Sequence, residues 1–201
     1  MVDLTRLRGV LDEAQEALEE ARALYEEAGA AWTLGRTHNG LAWIAWRKGD
    51  LTRAERHFRD SIRILTPLEE RASLCESQRG LAQLLASQGK LDEAERYALG
   101  ARETVGQHDQ SSRATTRMAL AIVRAAQGRD EEAEELFREA LDVVARTEFE
   151  YIRFELLTSF SRFLREQGRA DEAQALEDEL AGLGEITWGQ PDEVAATARM
   201  V

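Results

Sequence analysis

Proline and cysteine are almost missing from this 201-residue sequence, which has two prolines, Pro67 and Pro191, and one cysteine, Cys75. A lone thiol excludes an internal disulfide and suits a reducing cytoplasm, where Cys75 reads as a small packing residue. With so little proline, helices can run long. Strand-forming runs of Val, Ile and Thr are also lacking, while Ala, Glu, Leu and Arg dominate. Those side chains lose little rotamer freedom in a helix, so the expected class is all-α. No apolar stretch is long enough for a membrane span, and Met1-Val2-Asp3-Leu4-Thr5-Arg6 has none of the regions of a secretion signal. The expected location is therefore the cytoplasm.

Positive charge is scarce as well. Lys and Arg number 26 against 38 Asp and Glu, for a formal charge of −12. That balance argues against nucleic acid and against anionic lipid as partners. Catalytic patterns are equally thin. The three histidines, His38, His57 and His108, read as lying in different units without ligand-like spacing, so no metal site is expected. No glycine loop cradles a phosphate, and no serine or cysteine has a recognisable base. The expectation is a protein without enzymatic activity and without a cofactor.

What the sequence does have is a period. Gly9, Gly49, Gly89, Gly128 and Gly168 stand 40, 40, 39 and 40 residues apart. Similar text follows each of them, as in Gly89-Lys90-Leu91-Asp92-Glu93-Ala94 and Gly168-Arg169-Ala170-Asp171-Glu172-Ala173. A glycine can close one helix in the left-handed conformation, and acidic residues then suit the first turn of the next. Alanine recurs five residues after each glycine, at Ala14, Ala54, Ala94, Ala133 and Ala173, where a small side chain lets two helices approach. Before four of the glycines, a large apolar residue sits between small ones: Gly40-Leu41-Ala42, Gly80-Leu81-Ala82, Ala119-Leu120-Ala121 and Ser159-Phe160-Ser161. The pattern predicts helices over 11–26, 28–48, 51–65, 67–88, 91–104, 110–127, 130–146, 149–167 and 170–182, with Pro67 in the first turn of the fourth.

The small residue in the first helix, the Gly-Asp turn and the Ala-x-x-x-Phe of Ala54–Phe58 and Ala133–Phe137 resemble tetratricopeptide (TPR) repeats. The resemblance covers about residues 10–183; the unit is near 40 residues rather than 34, and Ala98 and Glu177 replace the aromatic in two copies. It implies a right-handed α-α superhelix, a TPR-like solenoid, over residues 1–183: a half repeat 1–26, then repeats 28–66, 67–106, 107–147 and 148–183. Residues 184–201 read as a tail with a short helix at 191–200. The long unit is similar to arrays in bacterial signalling chains, behind an ATPase, cyclase or DNA-binding module. The first helix lacks a full partner before it. Either a second copy covers Leu11, Leu18 and Leu24 in self-association, or the chain is a piece of a longer protein.

The resemblance also implies that the first helix of each repeat lines a concave groove that takes a protein or peptide. Its groove-facing positions carry over to Arg36, Asn39, Trp43, Trp46 and Arg47, to Glu76, Arg79 and Gln83, to Thr115, Met118 and Ile122, and to Glu155, Thr158, Arg162 and Arg165. Arg117 joins them from the most basic stretch, residues 110–129, which has four arginines and no acid. Residues 31–48 likewise carry Arg36, Arg47 and Lys48 with no acid, so the groove should favour an acidic or amphipathic segment. The bland alternative is that these arginines pair with acids on neighbouring helices. The Lys/Asn pair with which some family members clamp a peptide C-terminus is not reproduced. An alternative role is a sensor or regulatory region whose groove receives an effector or a domain of its own chain.

Overall fold

The computed structural model describes residues 4–106, 108–145 and 149–183. Among them are nine α-helices and no strand: α1 (Leu4–Glu27), α2 (Ala31–Arg47), α3 (Leu51–Leu65), α4 (Arg71–Ser87), α5 (Leu91–Thr104), α6 (Gln110–Ala126), α7 (Asp130–Val144), α8 (Glu150–Glu166) and α9 (Ala170–Gly182). The chain forms two compact units, one ending at Ser77 and the other beginning at Gln78.

Each hairpin turn is built from backbone alone. At Gly49, φ is +82°, its N–H donates to Trp46 O at 2.9 Å, and Asp50 N–H donates to Ala45 O at 2.9 Å. This pair of bonds satisfies carbonyls that a helix end leaves orphaned, and it needs a left-handed residue at the glycine. Lys90 to Leu85, Arg129 to Arg124 and Arg169 to Leu164 repeat the longer bond at 3.0, 2.9 and 2.9 Å. Asp50 then caps α3 by accepting from Arg53 N at 3.0 Å, and Asp109 caps α6 by accepting from Ser112 N at 2.9 Å.

Two expectations need correction. Gly9 is not a turn, because α1 runs through it from Leu4 to Glu27. A single glycine among good helix formers costs about 1 kcal/mol, too little to open so long a helix. The turn glycine there is Gly29, at φ +65°, where Ala30 N–H donates to Tyr25 O at 2.9 Å. Pro67 lies in a separate 3₁₀ turn, Thr66–Leu68, ahead of α4 rather than in its first turn. Glu69 follows it at φ +53°, so the chain breaks before α4 starts, and the Glu70 carboxylate accepts from Ser73 N at 2.8 Å. The tail helix expected at 191–200 falls outside the described residues.

In the first unit, Leu41, Ala42, Ile44 and Ala45 of α2 bury against Ala54, Phe58 and Leu65 of α3, and Cys75 is buried as well. Gly35 allows the closest approach: a Cβ there would lie 2.6 Å from Leu65 Cδ2. Leu18 of α1 rests over Gly40 in the same manner, whereas Leu24 stays 59% exposed. In the second unit, one apolar cluster joins Met118 and Ala121 of α6, Phe137 and Ala140 of α7, and Leu156, Phe160 and Phe163 of α8. The recurrent alanines Ala94, Ala133 and Ala173 are all fully buried, as helices in close contact require.

Candidate functional site

Arg79 of α4 reaches across to Glu155 of α8, with Nη2 to Oε2 at 3.9 Å. Arg79 is 5% exposed and Gln83, one turn on, is 9% exposed; the Gln83 Nε2 is buried without a hydrogen-bond acceptor among the described residues. Met118 sits inside the apolar cluster at 3% exposure, so it serves the core and offers no surface to a ligand. Arg162 on α8 is exposed and carries no ion pair among the described residues.

Most arginines of α6 and α8 are already engaged. Arg117 meets Glu139 of α7 at 2.9 Å, Arg165 meets Glu177 of α9 at 2.7 Å, Arg153 meets Glu179 at 2.6 Å, and Arg124 is bonded to Glu95 of α5. The basic stretches therefore serve in good part to tie first helices to second ones. Gln127 adds a bond to Glu95 at 2.7 Å, and the two partners hold the Glu95 carboxyl below the usual range.

In the first unit the aromatic positions are half structural. Trp43 and Trp46 stack at 5.3 Å between centroids, and the edge of Trp43 meets Phe58 of α3 at 5.3 Å. Both are half-buried. Arg36 lies over the exposed Trp32 ring at 4.9 Å, Asn39 donates to Ser77 Oγ at 2.8 Å, and Arg47 is exposed at the helix end.

Two arrangements were missed in the sequence. The first is a cleft of about 340 Å³ at the end of α5 and the start of α6, lined by Arg102, Val105, Gly106, Arg113, Thr116 and Arg117. Three arginines thus line one cleft in an acidic chain, and Arg102 is exposed with no ion pair among the described residues. The second corrects the reading of the histidines. His38 and His57 belong to one hairpin, and their Nδ1 atoms lie 3.0 Å apart. Asp60 completes a group whose donor atoms all lie within 4.8 Å of one another. Burial pushes His57 down to about 4 and lowers His38 too. The signal was present: His38 and Asp60 each stand eleven residues from Gly49, which places them opposite one another across the turn.

An ionic tie in the second unit has a measurable consequence. Glu134 of α7 accepts from Arg169, just before α9, at 2.6 and 2.9 Å, and from Arg138 at 3.1 Å. These bonds hold its carboxyl down at about 2. A carboxylate depressed in the folded state stabilises it above the unfolded value, near 4.5, and that contribution disappears as pH falls through the folded one. The stability difference between the wild type and Glu134→Gln should therefore be full above pH 4.5 and shrink towards pH 2, as read by urea unfolding at each pH.

Comparison with known proteins fits this architecture. The sequence matches the family described as the MalT-like TPR region over residues 3–181. Among solved structures, the chain is similar to BtubC (BKLC) from P. vanneervenii, with 21% identity, a TM-score of 0.63, and coverage of 98% of this chain and 81% of that one. It is also similar to a putative kinesin light chain with nearly identical TPR-like repeats from Podosopora anserina, with 22% identity, a TM-score of 0.62, and coverage of 89% and 90%. A Rap protein complexed with Competence and Sporulation Factor gives a TM-score of 0.68 at 16% identity; 88% of this chain covers 51% of that one, about half its length. No curated protein matches by sequence. Among the described residues, no helix is long and apolar enough to cross a membrane. The fold class is an all-α helical-repeat superhelix of the TPR type, and the chain belongs to the MalT-like TPR region family.

Proposed function

We propose that this chain is a non-catalytic protein-interaction module of the cytoplasm that holds an acidic or amphipathic segment of a partner, with a carboxylate anchored by Arg102 at the cleft it lines with Arg113 and Arg117. The observation that carries this reading is the cleft itself: three arginines line one concavity in a chain of formal charge −12. Arginine presents a planar fork of donors matched to carboxylate, and it is among the residues that anchor interfaces most often. Helical-repeat proteins bind through broad preformed surfaces, so little ordering is required of the chain. The exposed Arg162 extends the surface available along α8.

The test is binding of a fluorescent peptide of alternating Glu and Leu, followed by anisotropy at several salt concentrations. Arg102→Glu should weaken binding by about tenfold and flatten the salt dependence, with helicity unchanged. Loss of binding in Arg162→Glu but not in Arg102→Glu would move the anchor to the inner face of α8. No effect of either variant would overturn the acidic-segment reading.

A second reading is favoured by the family and by the Rap likeness. In it the chain is the regulatory region of a signalling protein, linked to an ATPase, cyclase or transcription-regulator module, and its inner face receives an effector. The Rap structure holds Competence and Sporulation Factor, and this chain spans about half of that protein.

A further inference from the structure

We propose that His38, His57 and Asp60 form a binding site for one divalent transition-metal ion of the zinc type. The site is independent of the arginine cleft, since all three residues lie in the first unit on α2 and α3.

The spacing of the donors carries the proposal. Two nitrogens bound to one ion at about 2.0–2.1 Å lie about 2.9 Å apart at a right angle and about 3.4 Å apart at the tetrahedral angle. The two Nδ1 atoms stand 3.0 Å apart, inside that window. A hydrogen bond between the rings also spans this distance, but it has no need of a third donor. Asp60 supplies one: it lies three residues after His57 on α3, so the two side chains share a helix face, and His38 approaches from the facing helix. A neutral imidazole keeps one bare nitrogen for a ligand bond.

The donor set selects the ion. Two imidazoles with a carboxylate suit Zn²⁺, Co²⁺, Ni²⁺ or Cu²⁺, whereas Ca²⁺ and Mg²⁺ favour all-oxygen shells. Three protein ligands leave the remaining coordination to water. His57 is 4% exposed, while His38 and Asp60 are half-buried, so an ion can enter from solvent on their side. The surrounding charge is compatible with a dication. Asp60 contributes one negative charge, Glu26 of α1 acts on His38, and Arg56 and Glu19 act on His57 in opposite senses. Arg22 is occupied by Glu19 and Glu26 at 2.9 and 3.2 Å. Arg63 holds Asp60 Oδ1 at 3.1 Å, but its side chain is 72% exposed and the carboxylate has a second oxygen. Such an exposed pair has little hold on either partner.

A bound ion would join the two arms of the hairpin, and binding to the folded state alone raises stability with ion concentration. The experiment uses the full chain after chelator treatment and dialysis, titrated with Co²⁺ and then competed with Zn²⁺. Visible d–d bands report the ligand field, and calorimetry reports stoichiometry. The wild type should take up one ion per chain and melt at higher temperature in Zn²⁺. Asp60→Asn should weaken uptake by about tenfold or more, His38→Ala should abolish the bands, and His108→Ala should change nothing. Circular dichroism checks that each variant is folded; Asp60→Asn, which keeps the side-chain shape, decides the matter if His38→Ala is not. No uptake by the wild type would overturn the proposal. Equal uptake by the wild type and Asp60→Asn would overturn it too, because the ion would then sit elsewhere on the acidic surface.

Discussion

Phe137→Ala is expected to lower the free energy of unfolding by about 3–5 kcal/mol, the range found when a buried aromatic is truncated and its site cannot collapse. Phe137 is 1% exposed. It stacks on Phe160 at 5.0 Å with an interplanar angle of 13° and meets Phe163 at 5.6 Å, both from α8. Truncation therefore removes apolar contact between α7 and α8 together with two ring–ring contacts, each adding about 0.5–1.5 kcal/mol beyond area. Alanines 114, 121, 133 and 140 surround the site and have no long side chain to swing into the void. Urea unfolding followed by circular dichroism measures the loss. Phe137→Leu should recover more than half of it, and a loss below about 1 kcal/mol in Phe137→Ala would show that the ring is not part of the core.

The second large effect is in the opposite direction of volume. Ala94→Leu should destabilise the protein by about 1–3 kcal/mol through overpacking. Ala94 is fully buried in the first turn of α5, five residues after Gly89. The added isobutyl group has nowhere to go without moving one helix of the hairpin. Leucine is nearly as good a helix former as alanine, so propensity neither explains nor offsets the loss. Ala175→Leu is the matched control: the same substitution on the exposed face of α9 should change stability by no more than about 0.5 kcal/mol. Equal melting of Ala94→Leu and wild type would mean that the repeat alignment places the wrong alanine at the contact.

The repeat itself was legible because its signal is local. A positive-φ glycine, an acidic first turn and a buried alanine lie within about six residues of each other, and α3, α5 and α9 start and stop where that pattern puts them. Gly9 misled because it has the right following text, Val10-Leu11-Asp12-Glu13-Ala14, inside what is one continuous helix. Gly29 was passed over because Ala30-Ala31-Trp32 follows it instead of the acidic text.

The surfaces were harder, since they depend on which residues meet across the repeat rather than along it. Arg117 and Arg113 were visible as a basic stretch, but their convergence with Arg102 requires the α5–α6 corner. Met118 occupies a groove position in the family pattern and is nevertheless core, because Leu156 and Ile152 of α8 close over the same cluster. Arg79 is placed by its reach to Glu155, which lies two helical hairpins further along the chain and cannot be counted from any spacing.

The hairpin turns are closed by main-chain bonds around one left-handed glycine. A joint of that kind is indifferent to what the helices on either side display. A copied or deleted unit can be spliced at the glycine without rewriting its neighbours, and each unit can then drift in surface chemistry while the frame stays intact. An imidazole pair within one hairpin and an arginine cleft between two others are the sort of divergence such a modular frame permits. The same property makes the glycine turns the natural places to cut or graft when building shorter or longer versions of the protein.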